Sequence, residues 1–390
     1  MDTIEVYENF SGQYMLMGEI IVNNSRGNLN TSFTFNEEFL KRNKLKFKID
    51  PNLNFFNGPQ WATSKTGLFK IFEDTCPDRW GRRLIDKKEK INAEKENRKT
   101  KTLNEIDYML NINDESRIGS FRYKIKGEDD FIPKKDKMDI PPITSLRVIE
   151  DASFAFEKND DESKWLKQLV MQGSSLGGAR PKASVKDENG ELYIAKFPSI
   201  NDEEDMGLLE KWAVDLAKTC GINVPYTMVK KISNKGHIFL SKRYDREYVN
   251  GNVNRLFYMS MMTALDKNDG DRASYLDIVS FIRENCIDIE KELLELYKRL
   301  IFNVLIKNTD DHLRNHAFIL KDGKLTLSPA YDLTPNIYGG SNLSLNIDEE
   351  NSDMSLDLVL STAKYYGLDN HEAKSIISEM EEKVKKVRKI

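Results

Sequence analysis

Cysteine is scarce: three residues in 390, Cys76, Cys220 and Cys286. Odd in number and far apart, they cannot make a disulfide framework, and no C-x-x-C pair offers a zinc site. A reducing cytoplasm is the expected setting. An excess of positive charge is also missing, with 59 Lys plus Arg against 63 Asp plus Glu and a net charge of -4. Duplex binding draws on the release of counterions from phosphates neutralised by Lys and Arg, so a general polyanion binder is excluded. Any nucleic-acid role must be local or borrowed from a partner. Long apolar runs are absent too; the stretch Ile301 to Ile306 falls well short of the ~18 residues a membrane span needs. The start, MDTIEVYENF, carries acids where a signal peptide has a basic region. The expectation is a soluble, cytoplasmic protein with no membrane partner. There is no internal repeat and no low-complexity tract. At ~150 residues per domain the length predicts two or three domains with real cores.

What is present begins as β structure. Tyr14 to Met17, Glu19 to Val22 and Ser32 to Phe35 are strand-like runs, with Asn23, Asn24, Gly27 and Asn28 supplying turn chemistry, so a small antiparallel sheet or barrel is expected. From Pro77 the character turns helical. Lys87 to Lys101 carries seven Lys or Arg against three Glu, which reads as a solvated face or, alternatively, a binding patch. Three prolines among charges between Phe131 and Pro142 place the main domain boundary there. Beyond it, Asn189-Gly190 between apolar runs signals a hairpin whose second strand carries Lys196. Met206 to Cys220 reads as a helix with Leu209, Trp212, Ala213, Leu216 and Ala217 on one face and Gly221 as its cap. Strands follow around Tyr226 to Lys231 and His237 to Leu240. After residue 255 the chain is mainly helical, interrupted once by a hairpin at Asp322-Gly323. Trp61, Trp80 and Trp212 read as core, His237 and His371 as ordinary surface or packing histidines; Trp165 receives no role.

The most informative segment is Ile306 to Asn315, followed by the hairpin and Pro329 to Asp332. Phosphoryl transfer needs a carboxylate to accept the proton of the attacking hydroxyl and ligands for magnesium. Protein kinases space these as Asp, four residues, Asn, then a metal-binding Asp past a short hairpin. Asp310 and Asn315 have four residues between them, and Asp332 follows seventeen positions after Asn315. Alone, the first spacing also fits a polar cap after an apolar helix. Lys196, flanked by Ile194, Ala195 and Phe197, is either a snorkelling edge residue or a cation with an anionic partner, for which Glu210 is the candidate. Gly173 to Lys182 imitates a Walker A loop, but Ala179 stands where the lysine must be. It reads as a glycine-rich phosphate cradle or as a linker. His312 and His316, spaced i and i+4, would share a helix face beside Asp310 and Asp311, which keeps a metal-dependent hydrolase open as a rival.

Together these residues resemble one family. GSSLGGARPKA (Gly173 to Ala183), YIAKFPS (Tyr193 to Ser199), SKRYDR (Ser241 to Arg246), NTDDHLRN (Asn308 to Asn315) and LSPAYDLTP (Leu327 to Pro335) are similar to HipA proteins, bacterial serine/threonine kinases that act as toxins of type II toxin-antitoxin modules. FEDTCPDRWGRRL (Phe72 to Leu84) and SRIGSFRY (Ser116 to Tyr123) resemble the same family's amino-terminal domain. The resemblance implies an α+β fold, with a protein-kinase-like two-lobed C-terminal domain preceded by a small β-rich and helical N-terminal domain. The divisions would be 1–142 for the N-terminal domain, 143–246 for the smaller kinase lobe and 247–390 for the helical lobe. It implies Asp310 as catalytic base and Asn315 and Asp332 as Mg2+ ligands. ATP would meet Gly177, Gly178, Ala179, Arg180, Lys182, Lys196 and His312, with Lys242, Arg243 and Tyr244 as a hinge at the adenine. Autophosphorylation would fall on Ser175, or Ser174, adding charge that replaces the ATP phosphates. Implied partners are a protein substrate, of which aminoacyl-tRNA synthetases are family examples, and a helix-turn-helix HipB-like antitoxin through which DNA is contacted. A catalytically silent subunit acting with that antitoxin in autoregulation is the alternative. The region after the hinge departs from the family pattern, reading Asn254 to Ser260 where many members carry a Gln-Glu-Asp-Phe-like stretch.

Overall fold

The computed structural model describes residues 3–10, 12–25, 28–132, 140–158, 169, 180–249 and 251–388. The glycine-rich run with Gly173, Ser174, Ser175, Gly177, Gly178 and Ala179 lies outside the described residues, as does Trp165.

The chain opens with β1 (Thr3–Glu8), β2 (Met15–Ser25), β3 (Asn28–Phe35) and β4 (Gln60–Trp61), joined later by β5 (Arg122–Ile125) in an antiparallel sheet of order β4-β3-β2-β1-β5. Strand β1 was not anticipated, although Ile4 and Val6 alternate inward with the period of two that marks a half-buried strand. Asn23 and Asn24 are not turn residues; β2 runs through both, opposite Asn30 and Leu29. Ladder pairing overrides their local preference. Trp61 is not core either. It sits on a two-residue edge strand and is 52% exposed, while its neighbour Gln60 faces inward.

The helix Arg79–Lys95 starts where the Asp78 carboxylate accepts a hydrogen bond from Gly81 N at 2.6 Å, satisfying an otherwise orphaned donor. It buries Trp80 and Leu84. Cations in the basic run beyond are partly matched locally: Arg98 meets Glu89 at 2.6 Å and Lys101 meets Asp107 at 2.6 Å. This is the pattern of a solvated face, and such exposed pairs contribute little to stability.

After the helix Leu146–Glu157, a second antiparallel sheet of order β6-β7-β9-β8 is built from β6 (Lys182–Lys186), β7 (Leu192–Lys196), β8 (Thr227–Ser233) and β9 (Gly236–Lys242). Gly190, at φ +78°, closes the β6-β7 turn as its Asn-Gly signal requires. The helix Met206–Thr219 connects β7 to β8 and lies against β9. Its second residue must be glycine: a Cβ on Gly207 would sit 2.0 Å from the carbonyl oxygen of His237. This close approach fixes how the first turn, and Glu210 with it, lies on the sheet.

A ribbon of β10 (Arg246–Val249) and β11 (Asn252–Arg255) leads to β12 (Tyr258–Ser260), which joins the hairpin β13 (Ala317–Lys321) and β14 (Lys324–Leu327). The helices Tyr275–Asn285, Ile289–Ile306, Leu356–Thr362 and Asn370–Arg388 make up the larger helical part. More than a hairpin interrupts it, because residues 328–354 contain no helix or strand, only isolated bridges such as Ser274 with Asn346. Among the described residues, no helix is long and apolar enough to cross a membrane.

Two apolar clusters hold these parts together. The smaller joins Trp80 and Leu84 to Ala183, Val185, Ile238 and Leu240 of the second sheet and to Phe197 just past β7. The larger runs from Ile4 and Phe33 of the first sheet and Phe72 and Phe121 packed beside them through Phe257 and Met259 to Leu296, Leu300 and Phe318. The first 132 residues therefore contribute to both cores. A polar clasp reinforces this join: Asp74 accepts hydrogen bonds from the backbone N and the Oγ of Ser260, each at 2.7 Å.

Burial pushes the Asp74 carboxyl up from near 3.8 to about 7, against the opposing pull of the Ser260 hydrogen bonds. With the folded value above the unfolded one, the contribution to stability is complete below the unfolded value and is lost as pH rises through about 7. Asp74→Asn should therefore gain melting temperature relative to the unsubstituted chain, by a few degrees, between about pH 4 and about pH 8. A difference that stays flat across thermal scans in that range would contradict this account.

Candidate active site

Lys182 and Lys196 are register partners on β6 and β7, two cations side by side. Each meets carboxylates from elsewhere in the chain. Lys196 Nζ lies 2.6 Å from Glu210 Oε1 and 2.7 Å from Asp332 Oδ1. Lys182 Nζ lies 2.9 Å from Asp78 Oδ2, with both side chains buried. Burial alone would depress the Lys196 ammonium, but Asp332 and Glu210 outweigh it and raise its pKa. Burial likewise raises Glu210 against the pull of Lys196. Asp332, which burial would also raise, is held at about 2 by Lys196, with help from Lys182 and His312. Lys196 and Asp332 are thus charged around neutral pH. Removing one partner from so desolvated a set leaves an uncompensated charge, at a cost of about 3–5 kcal/mol.

Asp332 stands in the left-handed region, at φ +59°. For a residue with a Cβ this costs about 1–2 kcal/mol. The residue before it shows what holds it there. Tyr331 Oη donates to the carbonyl of Arg314 at 2.6 Å, and its ring stacks on Tyr244 with centroids 5.5 Å apart. Tyr331 precedes Asp332 and Arg314 precedes Asn315, so this one bond ties together the two segments that the sequence pattern pairs.

The helix Ile289–Ile306 ends at Lys307, itself left-handed at φ +59°, whose N–H reaches back to Asn303 and Val304 carbonyls. The loop that follows turns Asp310 outward and Asp311 inward. The Asp310 carboxylate has no hydrogen-bond or ion-pair partner among the described residues, while its carbonyl accepts from Asn315 Nδ2 at 3.1 Å. That leaves Asn315 Oδ1 as a free acceptor among the described residues. His312 and His316 do not share a helix face. His312 is extended, His316 is extended, and only a short 3-10 turn, Leu313–Asn315, separates them. His316 Nε2 points inward to Asp311 at 3.0 Å. Among the described residues, no group of three or more His, Cys, Asp or Glu could hold a metal. The two-histidine metal arrangement does not form.

The remaining expected residues are placed differently from one another. Arg180 is paired with Asp202, its NH1 2.9 Å from Oδ1. Lys242 pairs with Glu191 at 2.6 Å. Tyr244 is beside Tyr331 and therefore next to Asp332. Arg243 is turned away: its guanidinium bonds to Asp245 and to the carbonyls of Ser116 and Arg117, and its N–H donates to Leu192.

The oxygen donors left over fit a hard divalent cation with phosphates. Asp332 has one oxygen beyond the one on Lys196, Asn315 has its amide oxygen, and magnesium prefers such ligands. His312 Nδ1 is buried without a hydrogen-bond partner among the described residues, as expected of a group that meets a ligand.

The family model for the HipA-like C-terminal domain matches residues 174–388. The chain belongs to the HipA family. A Haemophilus influenzae protein named "Putative kinase" is 26% identical over 231 residues, 52% of this chain and 67% of that protein. HipA of Shewanella oneidensis MR-1, solved in a complex with HipB and operator DNA, superposes with a TM-score of 0.69 at 15% identity, covering 98% of this chain and 88% of that one. The fold is accordingly the kinase-like α+β fold of HipA.

Within that HipA fold, the sequence reading found Glu210 but not Asp78, Tyr331, Asp311 or Asp245. Asp78 and Asp245 lie inside motifs that carry the family resemblance, yet no local pattern says what they touch. Asp245 receives Arg243 NH2 at 2.5 Å, Arg246 NH1 at 2.7 Å and the N–H of Gly119 at 2.7 Å. Gly119 is at φ +75°, and a Cβ there would press on Tyr258 at 3.1 Å. Arg246 also bonds to the carbonyls of Glu115, Arg117 and Gly119. The segment Arg243 to Arg246 is therefore welded to the 115–119 loop. Asp245→Ala should lower unfolding free energy by about 3–5 kcal/mol, because two buried guanidiniums lose their anion. Denaturant titration giving a loss under about 1 kcal/mol would refute that role.

Proposed function

We propose that this HipA-family chain is an ATP- and Mg2+-dependent serine/threonine protein kinase. The observation that carries the reading is Lys196 held between Glu210 at 2.6 Å and Asp332 at 2.7 Å. That arrangement suits a lysine poised for α and β phosphates and a carboxylate poised for metal. Bound Mg2+ would supply neutralisation of the charge developing on the transferred phosphoryl group. Asn315 and Asp332 would hold it. Asp310, exposed and without a competing partner among the described residues, orients the substrate hydroxyl and takes its proton. Lys182 and Arg180 add positive charge beside the phosphates, and Tyr244 lines the adenine side through its contact with Tyr331.

On the same reading, the protein works as the toxin of a toxin-antitoxin module. Its inhibition comes from phosphate on Ser175, or Ser174, which takes over Arg180, Lys182 and Lys196 from the nucleotide. The partner is a HipB-like DNA-binding antitoxin, consistent with a net charge of -4 that leaves DNA contact to another chain. The Shewanella complex, which contains HipB and operator DNA, supports that choice.

Phosphate transfer from labelled ATP to the chain itself or to lysate protein should fall by about 10²–10⁴-fold in Asp310→Ala and in Asp332→Ala. Incorporation that survives both substitutions overturns the assignment.

A further inference from the structure

Beside the exposed Asp310 lies a second aspartate that the proposed chemistry does not use. Asp311 is 2% exposed. Its carboxylate receives the hydroxyl of Tyr275 at 2.5 Å and faces His316 Nε2 at 3.0 and 3.2 Å. Tyr275 Oη in turn accepts from Asn303 Nδ2 at 3.0 Å, and Asn303 Oδ1 accepts from Asn308 Nδ2 at 3.2 Å. The Tyr275 and His316 rings meet edge to face, 5.4 Å apart. All five residues are at most 2% exposed.

This chain of bonds begins two residues before Asp310 and closes on the residue after Asn315. Between those ends the loop's own backbone bonds are few: Thr309 N to the Lys307 carbonyl at 3.0 Å, Asn315 N to His312 at 2.8 Å and a long contact from His316 N to Leu313 at 3.4 Å, while Ser344 N and Tyr331 Oη hold the Thr309 and Arg314 carbonyls from outside at 3.1 and 2.6 Å. A loop without ladder or helix bonds keeps one shape only if buried side chains fix it. Tyr275 adds the fully buried anchor at the loop's two ends, from the start of the helix Tyr275–Asn285.

We propose that Asp311, Tyr275 and His316 are positioning residues for phosphoryl transfer, pinning both ends of the loop so that the Asp310 carboxylate and the Asn315 amide keep one fixed relation. The inference rests on the kinase reading above. A displacement of the reacting groups by about 1 Å costs on the order of 10²-fold in rate, so the effect falls on turnover rather than on nucleotide binding.

The test uses the full chain. Tyr275→Phe removes the hydroxyl and keeps the ring; kcat should fall about tenfold while the KM for ATP stays within about twofold. Asp311→Ala should fall about a hundredfold, and Asp311→Asn, which keeps the shape and an acceptor, should recover part of that loss. Unchanged kcat in Tyr275→Phe and Asp311→Ala overturns the proposal. Amide hydrogen exchange supplies a readout without turnover: in Tyr275→Phe, residues 308–316 should exchange about tenfold faster, with β1 to β3 unaffected. Unchanged loop exchange also overturns it. Faster loop exchange in a chain whose unsubstituted form transfers no phosphate would instead overturn the kinase reading and leave the pinning role standing.

Discussion

A buried ammonium cannot remain alone, and Lys196 satisfies this constraint by drawing two carboxylates from distant parts of the chain. Much of the surrounding architecture serves that convergence. The β6-β7 and β7-β9 registers set the lysine at the end of a central strand. Glycine at position 207 lets the helix approach closely enough for Glu210 to reach it. The unfavourable backbone of Asp332 is held by Tyr331, through its bond to Arg314 and its stacking on Tyr244. Loss of any of these would leave a charge stranded, so the charge set and the packing are mutually enforcing.

The same logic extends to the N-terminal region, whose acids are spent across the join. Asp78 both caps its own helix and neutralises Lys182, and Asp74 captures Ser260. In the opposite direction, Arg243 and Arg246 use carbonyls of the 115–119 loop. The overall charge of -4 conceals this arrangement, because the cations that matter are buried against particular anions. Among the described residues, the side-chain atoms left without a partner around these segments are few: the exposed Asp310 carboxylate, one oxygen of Asn315, one of Asp332 and a nitrogen of His312.

Signals that act within a few residues were legible in the sequence. Asn189-Gly190 and Asp322-Gly323 specified their hairpins, and Gly221 ended its helix, since each needs only local backbone conformation. The Asp310, Asn315 and Asp332 spacing was also readable, and the structure brings these segments together. What failed depended on distant neighbours. Trp61 reads as core by type, but only the sheet order shows that its strand is an edge. Asn23 and Asn24 read as turn formers, yet a long partner strand draws them into the ladder. The His312 and His316 pairing assumed a continuing helix, which Lys307 had already ended. Asp78 and Asp311 sit in recognisable motifs, but no local pattern names their partners, which are set by tertiary folding.

The aromatic cluster around Phe257 carries a consequence for how the chain is made. Phe10, Phe47 and Phe121 of the early region pack on that ring at 5.4, 5.6 and 6.0 Å. During synthesis the first sheet can close its ladders long before Phe257 leaves the ribosome, so its apolar face must wait uncovered for more than a hundred residues. Long-range closure of this kind is slow and exposes sticky surface in the interval.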